Sequence, residues 1–190
     1  MKTMALIVLI TALTGCSSTP VTRYYQLPAD TAATSDEVVY EKSETQSAVW
    51  VEPVALTDAL AGSGIVYQQS DVQYVIASTN LWATPLDQQL QLALIGDLSR
   101  QLPGRLISGQ PLGADPLRLS VSVNGFHGRY DGSVVITGNW ILDNQGTLIS
   151  RSFSMSLPQS EDGYDALVAT LAKGWHQESK NLADVIRNTK

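Results

Sequence analysis

The chain has 190 residues, 44% of them hydrophobic, with 18 acidic side chains against 12 basic ones and a formal net charge of −6. The basic residues are scattered singly, which argues against a nucleic-acid-binding surface, and a single cysteine leaves a monomer without an internal disulfide. The length suits one domain with a sizeable hydrophobic core.

Met1 and Lys2 form a short basic start, residues 4–13 an apolar run too short to cross a bilayer as a finished helix, and Leu13-Thr14-Gly15-Cys16 closes it. This pattern reads as a signal peptide over residues 1–15 ending in a lipobox. In bacterial lipoproteins such a chain is cut before the cysteine, which is acylated on its sulfur and on the new amino terminus. Cys16 is therefore the expected lipidation site, carrying S-diacylglycerol and N-acyl chains, and no other cofactor is implied. The competing readings are a secreted protein whose one thiol lies near an ordinary cleavage site, and an uncleaved anchor in which the cysteine is a small hydrophobe. A free thiol in an oxidising compartment is a liability, however, and acylation removes it. Ser17 stands where an aspartate would favour inner-membrane retention in enteric-type bacteria, so it acts as a sorting signal pointing to the outer membrane. Residues 16–22 are a lipidated tether, and 17–22 span roughly 20 Å when extended. One globular domain is expected over 23–190, with the polar segment 29–47 loose. No apolar run after residue 15 is long enough to span a membrane.

Tyr24, Tyr25 and Leu27 supply apolar side chains for docking before Pro28 stops any ladder. Residues 48–55 read as a strand that Pro53 pushes to an edge or a bulge. Residues 65–69 and 72–77 read as a hairpin about Ser70-Asp71, preceded by a loop at Gly62-Ser63-Gly64. Thr84-Pro85-Leu86-Asp87 marks a helix start, with a threonine cap, proline at the first helical position and an acid in the first turn. Leu86, Leu90, Ala93, Leu94 and Leu98 then recur at helical spacing as far as Pro103-Gly104. Gln88, Gln89 and Gln91 fill out that helix, giving it a polar, weakly charged outer face.

Leu117, Leu119, Val121 and Val123 alternate with polar residues, the clearest strand in the chain. Gly125 and Gly128 predict a bulge or bend. Asp131-Gly132 predicts a two-residue hairpin turn of positive φ, and Asn144-Gln145-Gly146 a second turn, so that residues 117–157 form an antiparallel meander. Asp162 and Asp165 open a last helix with an apolar stripe of Tyr164, Leu167, Val168, Leu171, Trp175, Leu182 and Ile186. Gly174 lies inside it, where a close approach to Trp175's surroundings would justify a glycine. The expected fold class is α+β: a mostly antiparallel sheet with two amphipathic helices packed on one face.

Catalytic patterns are missing. No Gly-x-Ser-x-Gly elbow occurs, and neither His127 nor His176 has a second histidine or a cysteine at metal-ligand spacing, so an enzyme is not expected. Trp50, Trp82, Trp140 and Trp175 fall in or beside predicted elements, as core tryptophans do. Trp82 has a second reading, on a groove between the first long helix and the sheet.

With the lipobox, Tyr24-Tyr25-Gln26-Leu27, Asn80-Leu81-Trp82-Ala83-Thr84-Pro85-Leu86, Gly128-Arg129-Tyr130-Asp131-Gly132 and Asp162-Gly163-Tyr164-Asp165 in place, the chain resembles the ABC-type transport auxiliary lipoproteins over nearly its whole length. Thr84 replaces an acid often found after Trp-Ala in that family, at a helix cap that threonine also serves. The resemblance implies an outer-membrane lipoprotein of an intermembrane lipid transport system, its body facing the periplasm and supporting envelope integrity. Its partners would be a tunnel-forming MCE protein that crosses the periplasm and, indirectly, an inner-membrane protein, with the lipoprotein itself in a homo-oligomeric ring. Candidate partner-binding residues are Trp82, Gly128, Arg129, Tyr130 and Asp131. The alternatives are a stand-alone lipoprotein that binds a hydrophobic ligand or assists envelope assembly, and a cell-envelope hydrolase. Cys16→Ala is expected to leave the body folded but the precursor uncut and unacylated, as read by intact mass and membrane fractionation; normal cleavage and outer-membrane recovery would contradict the lipobox.

Overall fold

The computed structural model describes residues 20–28, 48–112 and 115–189. The signal peptide, Cys16, Ser17 and the segment 29–47 lie outside the described residues. The strands are β1 (Arg23–Tyr25), β2 (Val49–Val51), β3 (Ala55–Leu56), β4 (Gly64–Ser70), β5 (Gln73–Trp82), β6 (Ile107–Ser108), β7 (Leu117–Arg129), β8 (Ser133–Asn144) and β9 (Thr147–Pro158). The helices are α1 (Asp58–Ala61), α2 (Leu86–Gln101) and α3 (Tyr164–Asn188).

Strand β7 runs through the middle of the sheet. Its alternation buries Leu117, Leu119, Val121 and Val123, and leaves Arg118 and Asn124 exposed. One edge of β7 pairs antiparallel with β8, which continues antiparallel into β9. The other edge takes β2, β3 and β4 in turn, all parallel to it. Beyond them β6 lies parallel to β2, β5 antiparallel to β4, and β1 parallel to β5. Five of these eight pairings are parallel, so the sheet is mixed and not mostly antiparallel. The α+β class holds, with a third, short helix, α1, beside the two expected.

Pro53 falls in the break between β2 and β3. Before it β2 lies between β6 and β7, and after it β3 pairs with β7 alone, so the strand following Pro53 has one open edge. The register of β7 against β8 shifts between Val123 and Gly125, the bulge expected there. The turn after β7 differs from expectation: Tyr130, Asp131 and Gly132 form a three-residue loop in which Gly132 alone has positive φ, at 79°, and its N–H donates to the Arg129 carbonyl at 3.0 Å. That is a type I turn closed by a left-handed glycine. The next turn is the two-residue kind, with Gln145 at φ 50° and Gly146 at 90°.

Helix α2 buries Leu86, Leu90, Leu94 and Leu98 as its spacing predicts. Its cap differs: Pro85 precedes the first helical residue and no side chain caps the end. Gln89 is buried, not on a polar outer face. Its Oε1 accepts the Leu27 N–H at 2.8 Å and its Nε2 donates to the Thr84 carbonyl at 2.8 Å, tying the segment after β1 to the helix start.

Helix α3 packs its apolar stripe across β7, β8 and β9 and against α2. Trp175 Nε1 donates to the Leu90 carbonyl of α2 at 3.1 Å, and Trp140 Nε1 of β8 donates to the buried carboxylate of Glu178 at 3.0 Å. A Cβ on Gly174 would fall 2.9 Å from Leu157 Cδ1 and closer still to Ile136 Cδ1, so the glycine lets α3 lie against the sheet. Ile136 is fully buried and has no room to swing away. Gly174→Val is therefore expected to lower stability by about 1–3 kcal/mol, the usual cost of overpacking, read as a lower urea midpoint; an unchanged midpoint would show that helix and sheet part easily.

Candidate functional site

Two turns meet at one end of the sheet. β4 and β7 are parallel, with Tyr67 opposite Gly128 and Gln68 opposite Arg129, so the β4–β5 turn at Asp71-Val72 and the β7–β8 turn at 130–132 project together. Gly128 makes this possible. A Cβ there would fall 2.5 Å from Leu167 Cδ1 and 2.7 Å from Tyr67 Cδ2, with no space to hold it. Tyr67 Oη donates to the Arg129 carbonyl at 3.1 Å, and Tyr130 Oη donates to Asp71 Oδ1 at 2.6 Å, bracing one turn against the other.

Arg129 and Asp131 pair within the loop, with Arg129 Nε donating to Asp131 Oδ2 at 2.9 Å. The other carboxylate oxygen accepts the Ser133 N–H at 3.1 Å and its hydroxyl at 2.7 Å. The Arg129 hydrogen bond, then those of Ser133, hold the Asp131 carboxyl well below the usual carboxylate range. The bond to Asp71 raises the Tyr130 phenol. All of these groups face water, so they shape the turn more than they stabilise the fold.

The same end carries uncovered apolar side chains. Val72 is 92% exposed, and Tyr74 and Tyr130 51% each, while Ile76, 54% exposed, lies farther along β5 beside Gly64. Sequence reading recognised the hairpin and missed this exposure. The available signal was Tyr74-Val75-Ile76, three consecutive apolar residues that alternate sides and so cannot all face one core. Behind the hairpin, His127 is buried, its Nδ1 3.0 Å from the Gly128 carbonyl oxygen and its ring edge-on to Tyr74 at 5.2 Å.

Trp82 is not part of this end. It closes β5 at the opposite extremity, where its N–H donates to the Ser63 carbonyl at 2.7 Å, and its ring is buried against Phe126 at 6.2 Å. Of the five residues expected to bind a partner, Trp82 and Gly128 are thus interior, Arg129 and Asp131 hold one another, and Tyr130 presents apolar surface.

A second concave feature lies between α2 and α3. A cavity of about 640 Å³ is lined by Leu27, Leu92, Ala93, Ala172 and Trp175, with polar groups at its rim. Among those, His176 Nδ1 lies 3.0 Å from Asp97 Oδ1, a carboxylate that also accepts from Arg100. Among the described residues, no three His, Cys, Asp or Glu side chains come together as a metal site, and no helix is long and apolar enough to cross a membrane.

The sequence profile of the ABC-type transport auxiliary lipoprotein component family matches residues 25–183. The chain belongs to this family. The Intermembrane transport lipoprotein PqiC of Escherichia coli (strain K12) is 48% identical over 176 residues, which are 92% of each chain, and the protein of the same name from Shigella flexneri matches equally. A crystal structure of an uncharacterised protein superimposes with a TM-score of 0.78 at 53% identity, covering 88% of this auxiliary lipoprotein and 99% of that chain. A Xanthomonas campestris protein of 17% identity shares the fold alone, with a TM-score of 0.61 over 74% of this chain and 86% of its own. The named relatives are intermembrane transport lipoproteins.

Burial pushes His127 below its ordinary value of 6.5, partly opposed by the hydrogen bond to the Gly128 carbonyl, while the Arg129 charge adds to the lowering. In the unfolded chain His127 takes up a proton near pH 6.5, whereas the folded protein keeps it neutral to lower pH. Its contribution is therefore whole above that pH and lost as the pH falls through the folded pKa. Urea unfolding at about pH 7.5 and about pH 5.5 is expected to show the wild type losing more stability on acidification than His127→Gln; equal losses would remove His127 from the pH response.

Proposed function

We propose that this auxiliary lipoprotein is the outer-membrane component of a Pqi/MCE-type intermembrane lipid transport system. In this reading the signal peptide of residues 1–15 is removed and Cys16 is acylated. Ser17 directs the product to the outer membrane, and the tether of residues 16–22 holds the domain of residues 23–190 in the periplasm. The body then receives the end of a PqiB-like MCE tunnel, with a PqiA-like protein at the inner membrane, and does so as a homo-oligomeric ring that supports envelope integrity. The observation that carries the proposal is the 48% identity, over 92% of each chain, to a protein named Intermembrane transport lipoprotein PqiC.

One observation favours a second reading, a lipoprotein that itself holds a hydrophobic ligand. The cavity between α2 and α3 has the volume of a small-molecule site, and Leu92 at its rim is 69% exposed. Purification from detergent-solubilised envelopes separates the two. Recovery of an MCE protein with the tagged chain, and no stoichiometric non-covalent lipid beyond the acyl chains of Cys16 once the partner is removed, is the expected result. A bound lipid with no protein partner would favour the second reading and overturn the first.

A further inference from the structure

Eleven large hydrophobic side chains are exposed among the described residues, and seven of them fall on β1 and its approach, the β4–β5 hairpin and the adjoining 130–132 turn. Val21 and Tyr24 lie at the entry to β1, Val72, Tyr74, Val75 and Tyr130 lie at the two-turn end of the sheet, and Ile76 lies farther along β5 beside Gly64. The direction of β1 connects them. β1 is parallel to the last residues of β5, with Arg23 opposite Asn80, so the chain that precedes Arg23 heads toward the β4–β5 turn. From Gly64, opposite Leu81, to Ser70, opposite Gln73, β4 advances six residues, about 20 Å at 3.3 Å per residue. Cys16 lies seven residues before Arg23, a reach of about 24 Å at most. An acyl anchor on Cys16 and the exposed hairpin tip therefore lie within reach of the same plane.

We infer that the tip formed by Val72, Tyr74 and Tyr130 is a second membrane contact, which rests on the bilayer that holds the Cys16 lipid and fixes which end of the body faces it. The inference rests on the proposed acylation of Cys16. Its chemistry is that of a lipid interface. Val72 enters the acyl boundary, while the two tyrosines keep an apolar ring below and a hydroxyl at headgroup level. The charges at this end limit both depth and lipid type. Asp71 and Asp131 flank the tip, Glu161 and Asp162 lie on the loop beside the 130–132 turn, and Arg129 is the cation among them. An acidic rim of this kind suits a zwitterionic surface, is repelled by an anionic one, and keeps the contact at the interface. Tyr130, expected at first to meet a protein partner, meets lipid instead, and protein docking falls to other faces of the domain.

The test introduces a tryptophan at the tip and reads its distance from lipid. The lipoprotein and its Val72→Trp and Leu148→Trp variants are purified from envelopes, and intact mass establishes whether Cys16 is acylated. They are then reconstituted in phosphatidylcholine vesicles with or without brominated acyl chains. Leu148 is 65% exposed but follows the 145–146 turn at the opposite end of the sheet, so it serves as the control. After subtraction of the parent, the emission added at position 72 is expected to be largely lost in brominated vesicles. That at position 148 should be unchanged, and quenching should weaken when anionic lipid is included. Acylated protein with no quenching at position 72 overturns the inference and leaves the lipoprotein reading intact. Blue-shifted emission insensitive to bromine shows instead that a second copy or another protein covers the tip, and also overturns it. If the mass shows a free thiol, the acylation reading fails. Coupling Cys16 to a maleimide lipid then imposes the anchor, and the same quenching measurement decides the tip contact on its own.

Discussion

Every part of the sheet takes its position from β7. Along one edge its thirteen residues hold β8 antiparallel, and along the other they hold β2, β3 and β4 in succession. A strand paired on both edges and covered by helices on one face must keep a strict inward register, because a slip of one residue would turn Leu119, Val121 and Val123 to water. The bulge after Val123 is the one place where the register changes. It passes through Gly125, where a side chain would collide with Thr137 Oγ1 at 2.6 Å. Beyond it, Phe126, His127 and Gly128 are all buried. The strand thereby stops being half-wet and becomes the floor under the two-turn end.

The helical layer is locked to this sheet by a few polar contacts set in apolar surroundings. Glu178 is 6% exposed, and its two oxygens accept from Trp140 Nε1 at 3.0 Å and Asn181 Nδ2 at 3.1 Å. A buried acid without such donors would cost several kcal/mol, so the tryptophan of β8 and the acid of α3 specify one another. Trp175 does the same for the helix pair, since its indole N–H takes a carbonyl from α2 while its ring lies edge-on to Phe126 and Phe153. Gly174 lets this happen at close range. These contacts place α3 where Leu167 can pack over Gly128, and so the position of the helix reaches the functional end.

What was legible in the sequence follows from length and locality. The meander of residues 117–157 and the two long helices each repeat their period over ten residues or more, so pattern alone reveals them. Hairpin turns announce antiparallel neighbours because partner strands are adjacent in the chain. The parallel pairings escaped for the opposite reason. β2, β3 and β6 are two or three residues long, too short to show a period, and their partners lie many residues away. Gln89 was misread in the same way: its burial answers the N–H of Leu27, 62 positions earlier. At the candidate site, Asp131-Gly132 marked a turn, but the brace from Tyr130 to Asp71 spans 59 positions, which no local pattern can report.

A short tether changes what a weak surface contact can achieve. In the proposed contact few exposed side chains would meet the bilayer at the tip, and the acids beside them would oppose deeper entry, so a free body would hardly stay bound. With the proposed acyl anchor on Cys16, linkage through a short segment raises the effective concentration of the second contact toward the millimolar range, as for any two-site binder. Under that condition even a millimolar affinity keeps the tip seated about half of the time. Rigidity then becomes functional. Because Tyr130 and Asp71 join the two turns, and Gly128 admits Tyr67 and Leu167 beneath them, seating the tip orients the sheet and α3 as one piece. The lipid alone would fix only a distance from the membrane, whereas lipid and tip together fix a direction, which a partner arriving from across the periplasm requires.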